Sequence, residues 1–283
     1  MVPNELAAGR KRPLRSGDAQ HVAHPDDNTH LPCDELPTLA DDRASSAWHR
    51  GPSVGLRRWH PWRVAIDRGD VFVLRRLYVV THPESRHHVS GLVGGWFDSE
   101  LTDRGLRQTE LIAKRIRELV TEDTAVHLCS SDLKRAAQTA QAIARQLGVE
   151  PTFMKGLREK SYGEAEGKAQ SWLDERFVPP PASGDRMNHA EGIEGSETRH
   201  DFAARIYEVV SAIFSSSCSH HVIVTHGGAL TFVIAAWIDL PLEAAGYISV
   251  RSSSGSITVL GQDDFFHNRA VVSLNDTSHL THV

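Results

Sequence analysis

Leu77-Tyr78-Val79-Val80-Thr81-His82-Pro83-Glu84-Ser85 decides the fold. Four apolar residues in a row, two of them β-branched and one aromatic, predict a strand buried on both faces. Pro83 has no amide hydrogen to offer a central ladder, so the strand ends there. His82 therefore stands at the carboxyl end of a buried strand, where open α/β sheets form their ligand crevice. His221-Val222-Ile223-Val224-Thr225-His226-Gly227-Gly228 repeats the pattern far downstream, an apolar run ending on a histidine and followed by two glycines. Two strands each deliver an imidazole to one crevice.

Working outward, 283 residues allow one large domain, or a domain with an extension. A chain that is 40% apolar and 24% charged has the means to build a core. The formal charge of −5 argues against nucleic-acid binding by bulk electrostatics, so any attraction for an anion has to be local. Cys33, Cys129 and Cys218 are scattered and form no C-x-x-C pair, which suggests neither a disulfide framework nor a zinc knuckle and fits a cytoplasmic compartment. No signal peptide or membrane span is expected. Residues 1–70 are rich in Pro, Arg, Asp and His, without helical or strand periodicity. They are expected to be a disordered or loosely docked N-terminal extension, with Trp59 to Val64 the segment most in need of a docking surface. Residues 71–283 are the expected catalytic domain.

Within that domain, Gly91 to Gly95 reads as a loop. Thr102 is placed to cap a helix whose Leu106, Thr109, Ala113, Ile116 and Val120 recur every three or four positions. A short strand over 126–129 leads to a helix over 133–147 closed by Gly148. A strand over 152–154, a polar loop over 157–167 and a proline- and glycine-bearing insertion over 178–196 come next. Another helix starts at Glu197, with Phe202, Ile206, Val209, Val210 and Ile213 on one stripe. After the second histidine strand, an apolar helix over 229–238 is halted by Pro241, and short strands are predicted at 247–250, 256–260 and 270–274. This alternation implies an α/β three-layer sandwich, a mostly parallel central sheet with helices on both faces.

A single histidine at a strand end reads as well as a structural residue; the pairing gives it weight. Ser130-Ser131-Asp132-Leu133-Lys134-Arg135 adds a third strand end with two hydroxyls, a helix N-terminus and a guanidinium. Helix N-termini bind anions and Arg grips phosphate oxygens bidentately, so these groups converge on a phosphoryl group.

The order of Thr81-His82-Pro83-Glu84-Ser85, Leu101-Thr102-x-x-Gly105, Ser130-Ser131-Asp132-Leu133-Lys134-Arg135, Leu157-x-Glu159-x-x-x-Gly163 and His226-Gly227-Gly228 resembles the histidine phosphatase superfamily. The branch it is similar to holds cofactor-dependent phosphoglycerate mutases and related broad-specificity phosphatases. The resemblance implies a phosphoglycerate mutase-like fold, with His82 as the nucleophile that becomes phosphorylated. It makes Arg135 and His226 the holders of the phosphoryl oxygens, and Glu159 the acid for the leaving group and then the base for water. Read bare, Glu159 is a solvated loop carboxylate. Thr81, Arg86, Ser130 and Gly227 complete the phosphate- and substrate-binding set.

One departure stands out. The family motif opens Arg-His-Gly, and the arginine that binds the phosphoryl group is Thr81 here. Removing one transition-state donor typically costs ~10²–10³ in rate. Arg86 is the candidate to restore the charge, and the Thr81 hydroxyl a second donor. His88 replaces a small polar residue of the family, and His87 and His88 read as a solvated basic turn. Adjacent residues of the His87-His88 and His220-His221 pairs point opposite ways in extended chain, and no carboxylate–His pair sits at ligand spacing, so no metal or other cofactor is expected.

The reading is a metal-independent phosphatase acting on a small phosphorylated metabolite. A phosphoglycerate mutase-type phosphotransferase and a weakened domain that binds phospho-ligands or a partner are the alternatives. The short insertion between Glu159 and His226 favours hydrolysis. Residues 172–194 are the expected lid, with Arg186, Asn188 and His189 as its polar candidates. Oligomeric state is left open, a homodimer included.

Overall fold

The computed structural model describes residues 73–120 and 124–281, so the expected 1–70 extension falls outside the described residues. In chain order the elements are β1 (Val73–Thr81), α1 (Arg86–Val89), α2 (Asp103–Leu119), β2 (Val126–Ser130), α3 (Lys134–Leu147) and β3 (Pro151–Phe153). Then come α4 (Gln170–Asp174), α5 (Arg199–Phe214), β4 (His220–Thr225), α6 (Gly227–Trp237), β5 (Ile257–Asp263) and β6 (Arg269–Asp276). The strands form one sheet in the order β3-β2-β4-β1-β5-β6. The first four lie parallel; β5 and β6 add antiparallel at one side.

β1 is buried on both faces, as its apolar run requires. Leu77 and Val79 pack with β4, α5 and α6 in one core, while Tyr78 and Val80 pack with α2 and α3 in the other. Each fully buried aliphatic side chain contributes roughly 1.5–3 kcal/mol, so two independent cores clamp this strand. Thr102 caps α2 by accepting the Gly105 amide hydrogen (3.0 Å), and Gly148 closes α3 at φ 71°.

Two expectations need correction. Leu106 is 44% exposed, not part of the buried stripe of α2. Gly105 occupies that face instead: a Cβ there would sit 2.0 Å from the Glu84 carbonyl oxygen, so helix and histidine loop meet backbone to backbone. The rest of the expected stripe, Thr109, Ala113, Ile116 and Val120, is buried, with Gln108 and Ile112 beside it. The strand predicted over 247–250 is irregular chain after a 3₁₀ turn (Leu242–Gly246). Its backbone groups find side chains rather than a ladder: Arg199 donates to Ala245 O and Ile248 O, and Val250 N donates to Thr231 Oγ1.

Candidate active site

Parallel register brings the two histidines together. Thr81 on β1 lies beside Thr225 on β4, so the next residue of each strand, His82 and His226, emerges at the same level. Their ring centroids are 5.0 Å apart at 67°. Ser130 pairs with Val224 one residue earlier, and α3 then carries Arg135 back into the same crevice.

His82 is 6% exposed and His226 fully buried. His82 Nδ1 donates to the carbonyl oxygen of Pro83 at 2.9 Å, while its Nε2 accepts from Arg135 Nε at 3.2 Å. Both bonds select the tautomer whose lone pair is on Nε2. Burial holds this ring well below the ordinary histidine value, with the Arg135 charge adding and the Pro83 bond opposing. His226 Nε2 pairs with Ser131 Oγ at 2.8 Å, and burial followed by Arg135 likewise keeps it neutral. Its buried Nδ1 has no hydrogen-bond partner among the described residues.

Arg135 is 1% exposed, with Nη1 and Nη2 donating to Phe97 O (2.9 Å) and Gly95 O (2.7 Å). Burial pulls it down to about 10, with Glu159, Asp98 and Glu166 opposing, so it remains a cation at neutral pH. Glu159 reaches the crevice from the loop after β3. Its Oε2 accepts the Gly228 amide (2.8 Å) at the start of α6, and its Oε1 accepts the Lys160 amide (3.0 Å). Its own carbonyl is held by Trp96 Nε1 (2.8 Å) and Arg205 Nη2 (2.7 Å).

A cleft of about 530 Å³ opens above these groups, lined by Thr81, His82, Arg135, Glu159 and Gly227 among the expected site residues. His226 lies beneath it. Two expected residues stand elsewhere. Ser130 is buried off the cleft wall, its hydroxyl donating to Ser131 O (2.8 Å). Arg86 is exposed and not among the lining residues. Thr81 turns its hydroxyl to Ser253 O (2.7 Å). The α3 N-terminus is also engaged, since Lys134 N donates to Asp98 Oδ1 (2.7 Å). The lid candidates serve the fold: Arg186 donates to Gly246 O, Asn188 to Asp185, and His189 pairs with Val178 O.

Other residues enter unannounced. His87 and His88 both line the cleft, and His87 is buried at 6% exposure instead of solvated. Lys160 lines it too, paired with Glu191 at 2.6 Å, as does Arg199. Nothing in local pattern marks Lys160 or Arg199, and the doubled histidine after β1 reads from sequence as a solvated basic turn.

Two neutral imidazoles, a buried guanidinium and a carboxylate gather at the carboxyl ends of parallel strands in an α/β fold. The chain belongs to the histidine phosphatase superfamily (branch 1), whose family model matches residues 77–277. A curated relative, a probable phosphoglycerate mutase GpmB of Yersinia pestis (strain Pestoides F), is 28% identical over 212 residues, covering 72% of this chain and 94% of its own. Among solved structures, a mycobacterial hydrolase is 25% identical with a TM-score of 0.59, covering 71% and 98% of the two chains. A mycobacterial glucosyl-3-phosphoglycerate phosphatase is 24% identical with a TM-score of 0.58, covering 72% and 99%, and shares the fold. Among the described residues no helix is long and apolar enough to cross a membrane.

Proposed function

We propose that the protein is a phosphomonoesterase that hydrolyses a small phosphorylated metabolite through a phosphohistidine on His82. The observation that carries this reading is the state of that ring: Nδ1–H anchored on Pro83 O, Nε2 unprotonated, buried beside His226 and Arg135. As the substrate enters, Arg135 exchanges its bond to Nε2 for one to a phosphoryl oxygen. Nε2 then attacks phosphorus while the P–O bond to the leaving group breaks, and Glu159 in its acid form protonates that oxygen. Glu159, now a carboxylate, takes a proton from water as the water oxygen displaces Nε2 from phosphorus, releasing phosphate and restoring the ring. Arg135 and the first turn of α6 at Gly227 face the charge that grows on the equatorial oxygens.

Hydrolysis fits better than mutase chemistry. A mutase has to shield its phosphohistidine from water, and here the cleft is open above the histidines with only a short insertion beside it. Among similar solved structures, several are named as phosphatases, including an alpha-ribazole phosphatase from Shigella flexneri. The test is turnover of p-nitrophenyl phosphate in EDTA. Wild type should hydrolyse it and form an acid-labile phosphoprotein; His82→Ala should do neither. Turnover that survives His82→Ala defeats the reading, and faster phosphoryl transfer between phosphoglycerates than to water replaces it with the mutase.

A further inference from the structure

With Thr81 in place of arginine, Arg135 is the one permanent cation bonded to His82 among the described residues. Two of its N–H groups are already committed to Phe97 O and Gly95 O. The other cations on the cleft wall are also engaged, Lys160 with Glu191 and Ser196, and Arg199 with the carbonyls of Ala245 and Ile248. A phosphoryl dianion in this cleft needs a further donor close to His82.

His88 is placed to be that donor. Its ring stacks on His82 with centroids 5.4 Å apart and planes 21° apart, and packs against His87 at 4.2 Å. The Ser85 amide donates to His88 Nδ1 (3.5 Å), so the ring proton is on Nε2. The residue is exposed on one side and lines the cleft with His82 on the other.

We propose that His88 contacts the phosphoryl group through Nε2–H in place of the missing guanidinium, and that the bound anion draws a second proton onto this ring. The proposal rests on the phosphatase reading only in placing the anion beside His82. The groups facing His88 are His82 at the end of β1, His87 on α1, Arg135 on α3 and Glu84 in the loop, whose carboxylate is itself paired with Arg104 of α2 (3.3 Å). In the free protein burial, then Arg135, hold His88 below its ordinary value while Glu84 opposes them. The ring is therefore neutral at pH 7, and a dianion in van der Waals range reverses that balance. His87 cannot take up the second proton in the same way, because its burial, followed by the neighbouring His88, pushes it down to about 3.

Titration calorimetry with tungstate, a dianion throughout the neutral range, tests this in two pH 7 buffers of different protonation enthalpy. Wild type should bind with uptake approaching one proton, and affinity should weaken as pH rises. His88→Asn keeps a neutral donor, so it should bind without the uptake. His88→Ala should lose about tenfold to a hundredfold in affinity and on the order of 10² in kcat/KM for p-nitrophenyl phosphate. Turnover that requires His82 but is unchanged in His88→Ala sinks this inference and leaves the phosphatase reading standing. Tungstate binding with His88-dependent proton uptake but no turnover does the opposite. Wild-type binding without proton uptake, or no binding at all, overturns the inference.

Discussion

Gly228 shows how one missing Cβ positions a carboxylate. A methyl group there would sit 2.4 Å from Glu159 Oε1 and 3.2 Å from Oε2, at the point where the Gly228 amide holds that carboxylate. Gly228→Ala is therefore expected to displace Glu159 and lower kcat by about 10², the scale on which small misplacements of a catalytic group act. Its melting temperature should fall only slightly, because the displaced side chain borders the open cleft and can move into it. Steady-state kinetics beside thermal denaturation check this; full activity in the variant removes Glu159 from the mechanism. Thr81 makes the complementary case. It is 3% exposed, donates to Ser253 O and accepts the Ser256 amide (3.1 Å). Thr81→Val keeps the shape but removes both bonds and leaves the Ser256 amide only its bond to Ser253 O (3.1 Å), at a cost of roughly 1 kcal/mol. A urea midpoint unchanged from wild type would falsify this structural role. The sequence displayed both the glycine pair and the absent arginine. What each residue touches, 69 and 172 positions away, is not encoded locally.

Elements divide by whether their purpose is local. α5 was legible because Phe202, Ile206, Val210 and Ile213 form a stripe that needs a core, and they are buried in one. The role of Arg205 on that helix was not legible, since a single arginine beside an apolar stripe reads as solvated surface. In the structure it ties the loop after β3 to α5, donating to Gly156 O (3.0 Å), Arg158 O (2.7 Å) and Glu159 O (2.7 Å) while Glu197 holds its other edge (2.7 Å). The bidentate pair of Arg158 with Asp132 (2.7 Å for each bond) fixes the same loop from the end of β2. Arg205→Leu keeps most of the apolar stem yet removes the guanidinium from three carbonyls and Glu197. The expected outcome is a fall of about 10² in kcat with KM nearly constant, because the loop that presents Glu159 loses its anchor while the groups around His82 stay in place. A rise in KM with kcat preserved would show instead that the loop's role is substrate binding. The segment after α6 misled sequence reading for a related reason. Its apolar residues suggest a strand, but with Arg199 and Thr231 satisfying its backbone no ladder is needed.

At the scale of the whole molecule, parallel register converts two local patterns into one crevice, and the same packing stores a sensitivity to acid. His82, His87, His221 and His226 are all 6% exposed or less. Burial is the largest cause lowering each of them: His87 falls to about 3, His221 to about 4, and the two crevice rings well below the ordinary value. His221 shows how firmly neutrality is built in, with Nε2 on Cys218 O (2.9 Å) and a buried Nδ1 that has no partner among the described residues. Below about pH 6.5 the unfolded chain binds protons on these rings that the folded protein refuses. The unfolded state then carries more protons, so stability falls as pH drops, by about 1.4 kcal/mol per pH unit for each fully neutral ring. Four rings acting together set an upper slope of about 5 kcal/mol per unit, beginning near the ordinary histidine value and continuing to the folded values of about 4 for His221 and about 3 for His87. Carboxylates with lowered values, such as Asp132 beside Arg158 and Asp276 beside the Ser278 amide, lose their contribution only at more acid pH. Urea midpoints should therefore be level above neutrality and fall steeply between about pH 6.5 and about pH 5.5. His221→Asn should reduce that slope without touching the crevice. A wild-type midpoint that stays level down to about pH 5.5 would mean that these rings accept protons in place, and the neutral tautomer assigned to His82 would lose its physical basis with them.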